Sequence, residues 1–408
     1  MVLPERSEIV IIGGGVIGCS IAYQLAARGR TDVTMLERRR LTEGSTWHAA
    51  GLVGQLRSSG SLTGLMRSSV ATYTELAGRT GYPTGWHQAG SIRAASSDSR
   101  LRELKRLITV AQSVGFEAYL ISPGQAAELF PPLSLAGLRG AIWVPSDGYA
   151  DPHQLTHSFA AGARALGVRI IESAAVTSLE RRGRRVVAVG TPGGRIECEV
   201  VVNATGMWGR QTARLAGSDV AVAAVEHQYV VTERIGGLPA GLPTFRDPDG
   251  RFYVKPETGG LVIGGWEDGS RVPWLTVPLD LGAELFPPDH ERFAPLARAC
   301  AHRIPVTAEA GIRAWVNGPI PFSPDAEPLL GKTGELDNVF HCCGFSAGIA
   351  AAGGAGHAMA NWIIDGDPGY DLTPFDVRRF GRDGDPGDLA QRCLDAYARY
   401  YQISLPST

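Results

Sequence analysis

Apolar residues in this chain follow three patterns, and each pattern predicts a different kind of element. Short continuous runs predict strands covered on both faces, and they lie at residues 8–12, 32–36, 200–202 and 339–346. Apolar residues at helical spacing predict helices at residues 62–77, 98–114, 152–166 and 347–364. Alternation of apolar and polar residues from about 220 to 318 indicates an antiparallel sheet with one covered face.

The order of these elements predicts an α/β fold with a discontinuous nucleotide-binding domain. Because 408 residues exceed the size at which a single core usually divides, we expect two domains. The first is Rossmann-like and is assembled from residues 1–85, 150–220 and 320–375. The second is an α+β substrate domain on an antiparallel sheet, and it comprises residues 86–149 and 221–319. Residues 376–408 form a C-terminal tail.

The strand at residues 8–12 runs directly into a glycine turn. Gly13, Gly15 and Gly18 have the G-x-G-x-x-G spacing. In that motif the first glycine permits the turn, the second admits a pyrophosphate, and the third lets the following helix pack closely. Glu37 ends the second strand at about the 20-residue offset at which a carboxylate accepts hydrogen bonds from a ribose. These features favour a dinucleotide site over an ordinary glycine-rich turn.

Composition and charge narrow the class of protein. A net charge of -2 with only short basic runs gives no nucleic-acid footprint. Six cysteines without regular spacing indicate reduced thiols rather than a disulfide framework or a zinc site. The first strand begins by residue 8, so we expect no signal peptide, and the glycines within 347–364 argue against a membrane span. We therefore predict a cytoplasmic protein.

Five segments carry a resemblance to a known family, and they lie at residues 13–18, 45–51, 227–229, 317–325 and 343–366. Together they resemble the D-amino-acid-oxidase-like superfamily of FAD enzymes, and more closely its dimethylglycine and sarcosine dehydrogenase branch. The first motif occurs in many nucleotide-binding folds, whereas the others are specific to that branch. The resemblance implies that the Rossmann-like domain binds FAD.

The resemblance also implies which residues contact FAD. They come from the glycine turn, the small-residue segment after the second strand, a second strand-to-glycine turn, and the start of the last buried helix. The helix dipole there would stabilise reduced flavin. The implied cofactor-binding residues are Gly13, Gly15, Val16, Ile17, Gly18, Glu37, Arg38, Ser45, Thr46, His48, Ala50, Gly51, Leu52, Val176, Ala204, Thr205, Gly206, Trp208, Gly344, Phe345, Ser346, Gly348 and Ile349.

Three side chains receive chemical roles from the resemblance. His48 matches the histidine that carries FAD covalently through the 8α-methyl group, a role that needs a neutral imidazole. His227 and Tyr253 match the catalytic pair at the substrate amine. An amine must lose its proton before hydride can leave the adjacent carbon, so an imidazole or phenol that accepts the proton fits this role. The alternative interpretation is that His227 and Tyr253 are a buried polar pair whose role is to hydrogen-bond to each other.

These assignments predict FAD-dependent oxidation of a small N-methylated amino acid or a related secondary or tertiary amine. Hydride passes to the flavin, and hydrolysis of the imine releases formaldehyde. The electron acceptor is O2 or an electron-transfer protein. Two alternatives stay open. One is oxidation of a cyclic or primary amino acid, and the other is a flavin-bearing subunit that relays electrons within a larger complex.

The tail bears on the fate of formaldehyde. In the resembling branch a folate-binding region follows, and residues 400–406 look like its beginning. Because the chain stops at Thr408, folate-dependent capture would need a partner chain that carries this domain. An apolar helical face through Leu389, Leu394, Tyr397 and Tyr401 predicts a docking surface for such a partner.

Overall fold

The computed structural model describes residues 3–381 and 385–402, so residues 403–406 of the predicted folate-like segment lie outside it. Its strands are β1 (Arg6–Ile12), β2 (Val33–Leu36), β3 (Leu52–Val53), β4 (Ser91–Ala95), β5 (Tyr119–Ile121), β6 (Gly140–Val144), β7 (Gly148–Tyr149), β8 (Arg169–Ile171), β9 (Ser178–Arg182), β10 (Arg185–Thr191), β11 (Gly194–Asn203), β12 (Ala223–Thr232), β13 (Thr244–Asp247), β14 (Phe252–Glu257), β15 (Gly260–Gly265), β16 (Ile312–Phe322), β17 (Leu329–Gly331) and β18 (Val339–Cys343). Its α-helices are α1 (Val16–Ala27), α2 (Gly60–Thr80), α3 (Asp98–Ser113), α4 (Pro123–Leu129), α5 (Pro152–Ala165), α6 (Gly209–Leu215), α7 (His290–Arg303), α8 (Gly348–Asp365) and α9 (Pro386–Ala398). Short 3₁₀ helices lie at Gly206–Trp208, Pro305–Thr307, Thr373–Phe375 and Val377–Phe380.

The first sheet has the order β17-β18-β11-β1-β2-β8. Its strands from β18 to β8 pair in parallel, whereas β17 is antiparallel to β18. Helices α1, α2, α5 and α8 form the apolar layer on one face. The β9–β10 hairpin covers the other face, where Val186 and Val189 meet Val10 and Ile12. Burial on both faces explains why residues 9–12 are apolar without alternation.

The second sheet has the order β16-β12-β15-β14-β13-β4-β6-β5 and is antiparallel except for the parallel pair β13 and β4. One face packs against α4 and α7 through a core that includes Phe130 and Phe293. The other face carries Tyr229 and Tyr253, which pack with the segment around Leu52. The sheet therefore presents these two tyrosines toward the residues that follow the glycine turn.

The predicted fold class is confirmed: a Rossmann-like parallel sheet is assembled from separated segments and faces a second, mainly antiparallel sheet. Strands β4, β5, β6 and β12 to β16 all belong to the second sheet. The exact domain boundaries stay a prediction. All six cysteines are free and buried. Within the described residues, no helix has the length and apolar character that crossing a membrane requires.

Several elements differ from those that the sequence predicts. Residues 195–198 and 200–202 belong to one strand, β11, which pairs with β10 at its start and with β1 along its length. Helices α4 and α7 are not among the predicted elements. Pro123 stands at the first turn of α4 after the Ser122 cap, a position that favours proline. Helix α7 contains Pro295 and lies within residues 220–318, where only a sheet was predicted.

The predicted docking surface on the tail is wrong. Leu389 and Tyr397 of α9 are buried against this chain's own Trp266 and Phe322. The apolar face of α9 therefore closes the edge of the second sheet at β12 and β16. An amphipathic pattern marks a face that needs cover, and here the cover is intramolecular.

Candidate functional site

A cavity of about 570 Å³ lies between the two sheets. Its wall includes both predicted catalytic residues and all predicted cofactor-binding residues except Gly18 and Gly344. Gly18 instead packs α1 on the turn, since a Cβ there would lie 2.0 Å from the carbonyl oxygen of Gly13. Gly344 has φ +74, which the turn between β18 and α8 requires. Two glycines predicted as cofactor contacts thus shape the backbone behind the cavity wall.

The glycine turn and the end of β2 form one end of the cavity. Gly13 has φ +111, and the amide of Gly14 donates to Oε2 of Glu37 at 2.7 Å. The amide of Arg39 donates to Oε1 of the same carboxylate at 2.9 Å. Burial is the main reason that the pKa of Glu37 is raised. The Glu37 carboxylate is therefore fixed by backbone amides beside the N-terminus of α1.

Arg38 and Trp208 build the adjoining wall. The Arg38 guanidinium lies 3.8 Å from the ring centroid of Trp208 and donates to the carbonyls of Leu279 and Leu281. The Trp208 indole donates to the carbonyl of Pro278 at 3.1 Å. These contacts connect the loops that carry Arg38 and Trp208 to residues 278–281. They fix Arg38 and Trp208 at the edge of the cavity.

His48 lies on the cavity wall in a buried position. Its Nε2 has no hydrogen-bond partner among the described residues, and burial lowers its pKa to about 4. The ring lies against Gly318, where a Cβ would come within 2.7 Å of it. Ser45 donates to the carbonyl of Pro319 at 2.7 Å, which ties the 44–51 segment to β16. The site therefore contains a neutral imidazole with an unpaired nitrogen.

Helix α8 begins on the same wall. Ser346, Gly348 and Ile349 line the cavity, and no side chain of residues 3–381 or 385–402 caps the N-terminus of this helix. Ser346 donates to the carbonyl of Ala326 at 3.1 Å. The positive end of the helix dipole is thus oriented to favour negative charge in the cavity.

His227 and Tyr253 meet on the face of the second sheet that lines the cavity. The Tyr253 hydroxyl lies 2.8 Å from Nε2 of His227. Gly264 makes room for this contact, because a Cβ there would lie 2.3 Å from the Tyr253 hydroxyl oxygen. Burial lowers the pKa of His227 to about 3, with smaller contributions from His48 and Arg292. The imidazole of His227 is therefore neutral.

Two residues that the sequence analysis missed extend this pair. Nδ1 of His227 lies 2.8 Å from the Tyr397 hydroxyl, which donates to Oε2 of Glu267 at 2.8 Å. Burial raises the pKa of Glu267, and the Arg292 guanidinium, whose Nε lies 3.3 Å from Oε1, acts in the opposite direction. No local motif marks Tyr397 or Glu267. The apolar pattern of α9 includes Tyr397, but the sequence analysis interpreted that face as a docking surface.

The hydrogen-bond directions fix the tautomer of His227. The Tyr397 hydroxyl donates its only hydrogen to Glu267, so its oxygen accepts from Nδ1–H of His227. Nε2 of His227 then accepts the hydrogen of Tyr253. The free lone pair of the Tyr253 oxygen is left to accept a hydrogen bond from a ligand.

The fold and the cavity define a dinucleotide-binding protein whose second sheet adds a buried histidine and tyrosine. The family model described as FAD dependent oxidoreductase matches residues 8–362, and the chain belongs to this family. This match confirms the resemblance to FAD-dependent oxidoreductases and the prediction that the cofactor is FAD.

Three known proteins illustrate the similarity. Sarcosine dehydrogenase of Homo sapiens, a mitochondrial protein, is 38% identical over 413 residues, which cover 99% of this chain and 45% of that protein. The formaldehyde-forming 4-methylaminobutanoate oxidase of Paenarthrobacter nicotinovorans is 36% identical over 408 residues, covering 99% of this chain and 49% of that protein. The chain therefore spans about half the length of these relatives. The crystal structure of L-proline dehydrogenase from P. horikoshii superposes with a TM-score of 0.83 at 28% identity, covering 93% of this chain and 98% of that one.

Proposed function

We propose that this chain binds FAD in the cavity and oxidises a small N-methylated amino acid or a related secondary or tertiary amine. The observation that carries the proposal is the hydrogen-bonded pair of His227 and Tyr253 on the wall of a cavity in an FAD-dependent family. The two relatives named above act on N-methyl amines, which supports the substrate class.

The residues of the cavity fit FAD as the bound group. The glycine turn and the N-terminus of α1 suit the pyrophosphate, and Glu37 suits the ribose. His48 would hold the flavin covalently, since its buried Nε2 has no partner in the part of the chain that the structure describes and its low pKa keeps the nucleophile neutral. The start of α8 suits the flavin ring, whose charge becomes negative on reduction.

The proton of the substrate amine is handled by the chain's own residues. The free lone pair of the Tyr253 oxygen accepts a hydrogen bond from the amine, while Nε2 of the neutral His227 holds the Tyr253 hydrogen. The same burial that lowers the pKa of His227 disfavours the ammonium form of the substrate, so the amine reacts with its lone pair free. FAD, when bound, supplies the hydride acceptor and passes two electrons on to O2 or an electron-transfer protein. The substrate iminium then takes up water and yields formaldehyde, the demethylated amine and a proton.

A direct test uses the purified, FAD-loaded chain. Sarcosine, dimethylglycine and 4-methylaminobutanoate are mixed with it without oxygen, and flavin absorbance is followed. We expect bleaching by at least one of them and one formaldehyde for each flavin reduced. Tyr253→Phe and His227→Asn should slow bleaching by roughly 10² or more. A chain that bleaches with chemical reductants and with no amine would contradict the proposal and favour an electron-relay subunit.

A cyclic or primary amino acid is the second candidate substrate. The similarity to L-proline dehydrogenase favours it. Proline contains no N-methyl group and a primary amino acid releases ammonia, so neither yields formaldehyde. Bleaching by L-proline or glycine without formaldehyde would therefore select this candidate.

The fate of formaldehyde distinguishes a folate-coupled reaction from free release. We propose that residues 1–408 release the formaldehyde into solution. Formaldehyde is assayed with and without tetrahydrofolate. Suppression by tetrahydrofolate with these residues alone would contradict free release.

A further inference from the structure

Three arginines line the cavity beside Tyr253. Arg246 pairs with Tyr253 across β13 and β14, and Arg93 pairs with Arg246 across β4 and β13. Residues paired in this way share one face of a sheet, and neighbouring strands lie about 4.8 Å apart. Tyr253, Arg246 and Arg93 therefore form a row, and all three line the cavity. The cavity wall next to the predicted position of the substrate amine is therefore positively charged.

The third arginine comes from a different segment. Arg57 follows β3 and also lines the cavity. A Cβ at Gly54 would lie 2.5 Å from Nη1 of Arg246, so the chain leading to Arg57 rests on that guanidinium. Burial lowers the pKa of Arg93 to about 10, and the neighbouring charges of Arg246 and Arg57 contribute. We call Arg57, Arg93 and Arg246 the arginine triad.

The arginine triad lacks carboxylate partners. Within residues 3–381 and 385–402, no side chain forms an ion pair with any of its members. The triad is half-buried, whereas two arginines that are fully buried are paired: Arg292 lies 2.9 Å from Glu226, and Arg303 lies 3.1 Å from Asp247. Unpaired charges that are partly removed from water are costly. The contrast indicates that the partner of the triad is a ligand.

Two acidic residues lie near the triad without pairing with it. Asp147 already accepts from Ser91 at 2.6 Å and from the Gln55 amide at 2.9 Å. Glu327 lies near Arg57, and burial raises the pKa of Glu327 to about 7, so near neutral pH it is only partly ionised. These acids leave the triad with positive charge to be balanced.

We propose that the arginine triad binds carboxylates of the substrate and that the preferred substrate carries two, as an N-methylated amino dicarboxylic acid does. The inference rests on the proposed amine oxidation. With the amine at Tyr253, one carboxylate engages one or two guanidinium groups in paired hydrogen bonds. A second carboxylate binds the remaining guanidinium group, so the negative charge of the substrate offsets more of the positive charge of the triad. N-methylglutamate has this composition.

The first experiment measures anion binding without catalysis. Glutarate, which has two carboxylates and no amine, and butyrate, which has one, are titrated into the FAD-loaded chain. Binding is followed by flavin absorbance and by thermal stabilisation. We expect glutarate to bind tighter by on the order of 10-fold to 100-fold, the range for lost charged hydrogen bonds. Equal affinities would overturn the proposal.

Variants of the arginine triad test whether these residues cause the preference for glutarate. Arg93→Gln and Arg246→Gln should each remove most of the preference for glutarate. The melting temperature without ligand should stay the same or rise, because one of three neighbouring like charges is removed. Arg102→Gln removes the same charge from the exposed surface of α3 and should change neither property. If the triad variants melt much lower while keeping the preference for glutarate, the arginines are structural and the proposal fails.

The second experiment compares N-methylglutamate with N-methylglutamine, which differ only in the charge of one group. We expect kcat/KM for flavin reduction to be at least about 10-fold higher for N-methylglutamate. Similar values for both, with good turnover of sarcosine, would overturn the triad proposal and leave amine oxidation intact. Preferential binding of glutarate without oxidation of any N-methyl amine would support the anion site and overturn the proposed function.

Discussion

The hydroxyl oxygen of Tyr397 lies 2.8 Å from Nδ1 of His227, although 170 residues separate them in the sequence. Tyr397 belongs to α9 and His227 to β12, so the C-terminal helix completes the surroundings of the candidate catalytic pair. Glu267 accepts from the same hydroxyl at 2.8 Å. One tail residue thus sets which nitrogen of His227 is free to accept the proton of Tyr253.

Tyr397→Phe tests this positioning role. The ring remains to pack against Trp266, but Nδ1–H of His227 loses its acceptor and the link to Glu267 is broken. We expect flavin reduction to slow roughly 10-fold, equivalent to about 1.4 kcal/mol, with normal FAD content. The pH dependence of the reduction rate should also change. Rapid mixing without oxygen at several pH values measures both.

Tyr370→Phe is the matched control for Tyr397→Phe. Tyr370 makes a similar contact, 2.9 Å from Nδ1 of His357, but neither residue lines the cavity. Removal of the Tyr370 hydroxyl should leave the rate of flavin reduction and the pH dependence of that rate unchanged. If Tyr397→Phe lowers only the melting temperature and leaves the pH profile untouched, Tyr397 has a packing role alone.

Gly264→Ala tests the position of Tyr253 without removing a functional group. The new Cβ would lie 2.3 Å from the Tyr253 hydroxyl oxygen and 2.8 Å from Cβ of Tyr229. Tyr253 must move away from His227, so we expect flavin reduction to fall roughly 10²-fold. FAD binding should persist. Gly236→Ala is the control, because no atom of the described residues lies within 4 Å of its Cβ position. A wild-type rate in Gly264→Ala would show that the bond between Tyr253 and His227 is dispensable.

The sequence predicted much of the nucleotide half of the site because its residues are local. Gly13, Gly15 and Glu37 fall within one strand–turn–helix–strand unit, and short-range spacing is enough to place them. Gly18 packs on Gly13 behind the cavity wall, which is the role that the motif gives to its third glycine. Its further assignment as a cofactor contact came from the resemblance and stays a prediction.

The substrate half depends on strand register, which the sequence does not state. Arg93 and Arg246 become neighbours only because β4 inserts beside β13 in a parallel pairing. A one-residue shift in either strand would turn its arginine to the opposite face. Tyr397 likewise was predicted to face a partner, because an apolar helix face does not state which surface covers it. Long-range pairing therefore explains what the motifs missed.

Covalent attachment at His48 is tested by acid precipitation. The buried, neutral imidazole with an unpaired Nε2 should bond to the flavin, so the precipitate should stay yellow. Mass spectrometry should find the mass of FAD on the peptide that contains His48. His48→Ala should still bind FAD, held by the glycine turn and Glu37, but should release it into acid. Complete release of flavin from the unaltered protein would rule out the bond.

Acid should destabilise the folded protein through its buried histidines. Burial lowers the pKa of His227 to about 3 and the pKa values of His48 and His341 to about 4, against about 6.5 in an unfolded chain. Between pH 6.5 and 4 the unfolded chain therefore binds protons that the folded chain does not. The free energy of unfolding should fall on acidification through this window, by up to about 1.4 kcal/mol per pH unit for each histidine.

His341→Gln isolates one of these contributions without touching the catalytic pair. The variant loses the contact to Asn203 at 3.1 Å, so it should be less stable at pH 7.5, yet its stability should depend less on pH between 6.5 and 4. Glu327, whose pKa is raised to about 7 by burial, acts with the opposite sign, so the slopes of variant and parent must be compared. Melting temperatures measured from pH 7.5 to pH 4.5 give these slopes. Replacement of the exposed His302 is the control. Equal slopes for His341→Gln and the parent would mean that His341 takes up its proton in the folded protein.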